Sequence, residues 1–398
     1  MIPMLSRRST LLGLTTLFAS ARARLAVASA PTDQRFVVVI LRGALDGLSA
    51  VPPYGDPALM DLRRPLVPPR VGSPDGMRDL GGFFGLHPLL EALHGMYAAG
   101  ELAIIHAVSG GYRERSHFFA QDMLESGADR RLTSGWLNRA VAGMPGGGKV
   151  PGGRAPTAIG TALPLLLRGS APVENWAPSN LATPYADLYS AIMRLNASDT
   201  VTGPAIETGL SSRGFSKMAL GDHDGEVSRM DFPSLARSAG TLLAAPNGPR
   251  IAALELGGWD THAAQVNRLT APLKQLDLGL GDLKQALGPA WRSTAVLVMT
   301  EFGRSVRING TTGTDHGTGA AAFVLGGAVA GGRVIADWPG LGAGKLLEDR
   351  DLAPTRDLRA VAKGLVIDHL GVPASAMETV FPGSASIAPM TGLLRRTT

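Results

Sequence analysis

Residues 36–41 (FVVVIL) are continuously apolar, and RGALDG (42–47) follows at once. The same shape, an apolar run closing on polar or glycine residues, recurs at 102–110, 251–262, 293–304 and 320–327, with a weaker copy at 157–167. A run without polar alternation fits a strand covered on both faces, which is the habit of parallel sheets. Between these runs, residues 87–100, 116–127, 269–288 and 355–371 place apolar side chains three and four apart, the spacing of amphipathic helices. Strands alternating with helices predict an α/β fold, a three-layer sandwich around a mainly parallel central sheet. Residues 175–240 break the alternation and read as a partly helical insertion or cap. Residues 144–154 (MPGGGKVPGGR) read as a flexible surface loop. No internal repeat and no second core pattern interrupts the chain, so one domain is expected over residues 31–398.

Composition sharpens this picture in two places. The chain has 398 residues and no cysteine, which excludes disulfides, thiolate metal sites and a cysteine nucleophile. Its formal net charge is +5, but residues 1–30 hold Arg7, Arg8, Arg22 and Arg24 and no acid. Removing those four charges from +5 leaves +1. A nearly neutral mature chain argues against nucleic acid as a partner.

That N-terminal segment is expected to be an export signal. Arg7 and Arg8 follow Ser6, an apolar run covers Leu11 to Phe18, and small residues come next. The paired arginines resemble a twin-arginine signal, whose export machinery carries folded proteins, often with metal already loaded. The run is too short to span a bilayer, so no stable membrane anchor is expected. A periplasmic or secreted location follows.

In open parallel sheets, ligands gather at the carboxyl ends of strands. Asp46, Asp260, His262 and Glu301 stand at such ends. Asp260 and His262 lie two apart, so an extended backbone turns both to one side, either as metal ligands or as a hydrogen-bonded pair. Asp315 and His316, in GTDHGTG (313–319), stand ahead of the last apolar run, and the sequence leaves their facing open. Ser116 begins a helix, as an N-cap or as a nucleophile stabilised by the helix N-terminus. Arg113, Arg115 and Arg304 lie near these motifs, as anion clamps or as surface charges. His87, His94, His106, His223 and His369 read as structural or surface residues. The motifs G-x-S-x-G, H-E-x-x-H and G-x-x-x-x-G-K-[ST] are absent.

ILRGALDGL, RERSHFFAQDMLESG, GGWDTH, TEFGR, TDHGTGAAAFVLGG, GGRVIADWPGL and RDLAPTRDLRAV, in that order, resemble the secreted family called domain of unknown function 1501. That family is similar to the alkaline phosphatase and sulfatase superfamily, which implies an alkaline-phosphatase-like fold with metals at the strand ends. By that resemblance Asp46 is a metal ligand, Ser116 is the nucleophile with His117 as a rival for some role, and Asp260, His262 and His316 hold a first ion. Glu301, with Asp46, would hold or bridge to a second ion, although no histidine follows Glu301. Asp315 would orient His316 or ligate directly, and Arg304 would neutralise substrate oxygens. The implied cofactor is one or two divalent ions, Zn²⁺ or Mn²⁺ given the histidines. The implied activity is hydrolysis of phosphate or sulfate esters on a small or polymeric anionic substrate. The alternative is a metal-binding or assembly protein without turnover on the same fold, a choice that resemblance alone does not make.

Overall fold

The apolar runs become strands because their side chains find cover on both sides. The computed structural model describes residues 33–145, 154–178, 186–196, 198–200, 202–220 and 230–396. Residues 1–32, where the export signal is expected, most of the 144–154 loop and His223 lie outside them. The main sheet contains β1 (Arg35–Leu41), β2 (Leu102–Ser109), β3 (Thr157–Ile159), β4 (Glu174–Trp176), β5 (Ile251–Leu256), β6 (Thr294–Thr300), β7 (Ala320–Leu325), β8 (Arg333–Ile335) and β9 (Arg356–Asp357). Their order across the sheet is β8-β2-β7-β6-β1-β5-β3-β4, with β9 also on β2.

Alternate residues of the central strands enter different cores. Val37, Val39 and Leu41 of β1 pack with α1 (Glu91–Ala98), α6 (Phe232–Ala244) and α7 (Gln265–Leu287). Phe36, Val38 and Ile40 pack on the other face with α3 (Trp136–Gly143) and α8 (Leu358–Asp368). Period-two burial on both faces produces the three-layer α/β arrangement that the unbroken runs implied. Residues 34–398 form one compact unit.

Two local readings are corrected. The 157–167 run is not one strand: β3 ends at Ile159, and Leu165–Leu167 form a 3₁₀ turn behind Pro164. Gly160, at φ +149°, ends the strand, and the apolar residues beyond Pro164 are buried in a turn instead. Within residues 175–240, α4 (Ala186–Asn196) and α5 (Thr202–Leu220) fit a partly helical insertion. However, α6 buries Leu235, Ala236, Ala239, Leu242 and Leu243 in the main core. Its apolar residues recur at helical spacing, so that part of the segment is scaffold.

One strand runs against its neighbours. β1 pairs in parallel with β5 and β6, while β7 is antiparallel to both β2 and β6. The start of β7 therefore lies at the same rim as the ends of the other strands; Val108 near the end of β2 faces Ala320. Residues 313–319 are thereby carried to the rim where Asp260 and Glu301 emerge. The approach is close enough to require glycine. A β-carbon on Gly317 would lie 2.3 Å from the Arg304 carbonyl carbon, and one on Gly313 would lie 2.2 Å from that of His262. Among the described residues, no helix is long and apolar enough to cross a membrane.

Phe323, wholly buried in β7, joins the core beneath α7. Phe323→Ala is expected to destabilise the protein by about 3–5 kcal/mol through lost burial and a residual cavity, measured by urea unfolding with an unchanged slope against denaturant.

Candidate metal centre

The rim loops bring three histidines and one aspartate together. His117 opens α2 (His117–Ser126), His262 and Asp260 follow β5, and His316 precedes β7. The His316 Nε2 atom lies 3.0 Å from Nε2 of His117, 3.0 Å from Nε2 of His262 and 3.2 Å from Oδ1 of Asp260. Asp260 Oδ1 is also 2.9 Å from Nε2 of His262 and 3.6 Å from Nε2 of His117. Ligand atoms of His117, Asp260 and His316 all fall within 4.8 Å of one another. The cluster opens to solvent on one side, with Asp260 and His262 each 45% exposed in their side chains.

What lies behind each ring identifies the atom that faces the cluster. His117 Nδ1 is 2.8 Å from Oε1 of Glu301. His316 Nδ1 is 2.9 Å from the carbonyl oxygen of Arg115. His262 Nδ1 is 3.5 Å from Oδ1 of Asp315. A carboxylate or carbonyl only accepts, so the rear nitrogens of His117 and His316 carry the protons and donate. Their Nε2 atoms then present lone pairs to each other, beside an ionised carboxylate oxygen. Acceptors this close repel unless a proton or a cation lies among them. Histidines that hold metals characteristically donate their other N–H to a carboxylate or carbonyl. Three nitrogens and one oxygen form a donor set suited to Zn²⁺ or Mn²⁺, so the residues present fit such an ion.

The charges are adjusted to the same end. The Glu301 carboxylate bonded to Nδ1 holds the His117 imidazole above its ordinary range, against the effect of burial. Burial, then the neighbouring His117, pushes His316 below that range. Burial opposes ionisation of Asp260, but the bonded Arg304 guanidinium, with His262 and His117 nearby, brings its carboxyl below the usual value. Burial likewise opposes ionisation of Glu301, and the bonds it accepts from His117, Gln121 and the Gly43 backbone lower it.

Several residues read as ligands or clamps are instead engaged by other protein groups around the cluster. Asp46 is buried and caps the short helix Gly47–Ala50. It ion-pairs with Arg63 and accepts from the Ser49 hydroxyl at 2.8 Å and from the Gln265 amide. Glu301 accepts on Oε1 from Gly43 N (2.8 Å), Gln121 Nε2 (3.1 Å) and His117, and on Oε2 from the Thr300 hydroxyl (3.0 Å). The Arg304 side chain is wholly buried. It donates to Asp260 Oδ1 at 2.7 Å, to the Thr314 hydroxyl at 3.2 Å and to the Thr314 carbonyl. The Arg115 side chain pairs with Asp351 and Glu348, and Arg113 bonds to Ser109 and nearby carbonyls. Ser116 is the N-cap of α2 and makes no capping bond with its hydroxyl. Asp315, half exposed, lies behind His262 and accepts from Asn309 at 3.2 Å.

A buried polar chain supports the centre, and sequence reading missed it. The Gln265 amide donates to Asp46 and to Ser49 and accepts from the hydroxyls of Thr261 (3.0 Å) and Thr314 (2.6 Å). Thr314 in turn receives Arg304, which grips Asp260. A lone glutamine or threonine beside an apolar helix carries no pattern of its own. Arg63, in the short stretch LMDLR, belongs to no motif.

These features define an α/β protein with a half-open, histidine-rich candidate metal centre on one rim of a mainly parallel sheet. Residues 217–373 match the family described as "Protein of unknown function (DUF1501)", the family that the motifs resemble, and the matched segment includes GGWDTH, TEFGR and TDHGTG. No curated protein matches the chain. Among solved structures the chain is similar to the C-terminal periplasmic domain of EcEptC from Escherichia coli in complex with Zn. Identity is 9%, the match covers 74% of this chain and 72% of that one, and the TM-score is 0.35.

Because Glu301 raises His117, metal-free protein is expected to draw stability from protonated His117 below the ordinary histidine range and to lose it as pH rises through the elevated value. Glu301→Gln should move the His117 midpoint downward, read by NMR titration of the histidine ring. An unmoved midpoint would contradict the assigned Nδ1–Glu301 bond.

Proposed function

We propose that this chain is an exported, metal-dependent hydrolase of phosphate or sulfate esters that works from a single-ion centre. The observation that carries this reading is the convergence of the three Nε2 atoms on Asp260 Oδ1, with the rear nitrogens of His117 and His316 each bonded to an acceptor. His117, Asp260, His262 and His316 would hold the ion. Asp46 and Glu301 favour supporting roles over ligation of a second ion, because protein donors surround both carboxylates. When bound, a divalent cation supplies Lewis acidity and concentrates positive charge where an anionic ester would dock.

The remaining steps belong to the chain. Ser116 adjoins His117, and its hydroxyl is not spent on capping its helix. Its oxygen would bond to phosphorus or sulfur as the bond to the leaving oxygen breaks, and the serine proton would end on the leaving alcohol. Water would then cleave the serine ester and restore the hydroxyl. Arg304 would act through Asp260 by holding its oxygen toward the histidines, since all three of its nitrogens are bonded inside the protein. Glu301 would keep His117 in the tautomer that presents Nε2.

A second reading is favoured by one observation: four protein donors are enough to close a tetrahedral site, as in structural centres. On that reading the chain binds metal or assembles with a partner and turns nothing over. Export by the twin-arginine route accompanies either reading, since that machinery passes folded, metal-loaded chains.

Purified exported protein is expected to carry about one ion per chain by elemental analysis and to cleave aryl phosphates or aryl sulfates. His316→Ala should lose both the ion and the activity. Ser116→Ala should keep the ion and lose at least roughly a thousandfold in turnover. Metal-loaded wild type without turnover on any such ester would favour the binding reading. Protein that takes up no ion would end both.

A further inference from the structure

We propose that Arg115 is a positioning residue that sets the orientation and tautomer of His316 by gripping the 315–319 loop at two points. The inference rests on the single-ion reading above. It gives Arg115 a role other than the anion clamp that its place beside the site suggests.

The first grip is the backbone. Arg115 has φ +57°, a left-handed conformation that non-glycine residues rarely hold unless their surroundings impose it. In that conformation its carbonyl accepts the Nδ1 proton of His316 at 2.9 Å. The second grip is the side chain. Nε of Arg115 donates to Oδ2 of Asp351 at 2.8 Å, and its terminal nitrogen pairs with Glu348. Asp351 is wholly buried, and its Oδ2 also accepts the hydroxyl of Thr318 at 2.9 Å. Thr318 stands two residues beyond His316. A closed ring results: Arg115 carbonyl, His316, the chain to Thr318, Asp351 and the Arg115 guanidinium.

Each member of the ring limits the others. The guanidinium–Asp351 pair fixes where residue 115 lies, and so where its carbonyl points. Thr318 ties the loop carrying His316 to the same carboxylate. The neighbouring backbone adds stiffness, because Ser305 N donates to the Asp315 carbonyl at 2.8 Å and Gly319 N to the Leu352 carbonyl at 3.1 Å. If the carbonyl moved away, His316 would lose the acceptor that keeps its proton on Nδ1. The proton could then move to Nε2, replacing the lone pair that the cluster needs with an N–H. A histidine held in one tautomer by a fixed acceptor is a stronger ligand than one free to exchange.

The test uses the full exported chain, stripped of metal and then titrated with Zn²⁺ alone. Arg115→Ala, Arg115→Lys and Thr318→Val are compared with wild type by three readouts: long-range ¹H–¹⁵N spectra of His316, Zn²⁺ affinity by chelator competition, and thermal unfolding. Arg115→Ala is expected to give mixed His316 tautomers and roughly 10–100-fold weaker Zn²⁺ binding. Arg115→Lys should recover part of both. Thr318→Val, which leaves Arg115 intact, should shift the same spectra in the same direction and serves as the test if Arg115→Ala does not fold. A wild-type tautomer and wild-type affinity in both Arg115→Ala and Thr318→Val would overturn the proposal. Wild type that takes no Zn²⁺ would overturn the single-ion reading, while the metal-free spectra would still decide whether the grip exists.

Discussion

The crowding of lone pairs at the sheet rim is the constraint around which the rest is organised. Nε2 atoms of three histidines and one oxygen of Asp260 approach to about hydrogen-bond distance. The acceptors behind His117 and His316 draw their protons to the far side of each ring. Such a group is unfavourable by itself in a partly dry cleft, because like ends of dipoles and a carboxylate face one another. A proton or a cation among them adds an attraction to each donor that outweighs those repulsions.

Keeping these groups together requires a rigid frame, and buried carboxylates provide it. Glu301 sits at the end of β6 among four donors and holds His117. Asp46, in the loop after β1, reaches the guanidinium that holds Asp260 through Gln265 and Thr314. Asp351 ties the loops before α2 and β7 together. A buried carboxylate is costly unless it is paired and hydrogen-bonded, and each of these is. Their role is to confine a few side chains to one arrangement, as a preorganised site requires.

Much of the scaffold was legible in the pattern of the chain. The runs at 36–41, 102–110, 251–262, 293–304 and 320–327 became strands because unbroken burial leaves few other solutions. The run at 157–167 broke after Ile159, and α6 proved to be core rather than cap. In both places local composition resembled something that tertiary burial overrode. At the site, proximity to a strand end was readable for Asp46, Glu301, Asp260 and His262. What each carboxylate pairs with was not, because Arg63, Gln265 and Arg115 come from segments with no motif.

The sequence alone determined that an α/β sheet would form, which residues would emerge at strand ends, and that no thiol chemistry is available. Those follow from local periodicity and residue type. The family motifs implied that His316 joins Asp260 and His262; only the tertiary structure decided that His117 joins them too, and it gives the reason: β7 runs antiparallel to β2 and β6 and so starts at the rim where they end. Strand direction is set by how distant segments pack, and that information is spread across the whole fold rather than held in GTDHGTG.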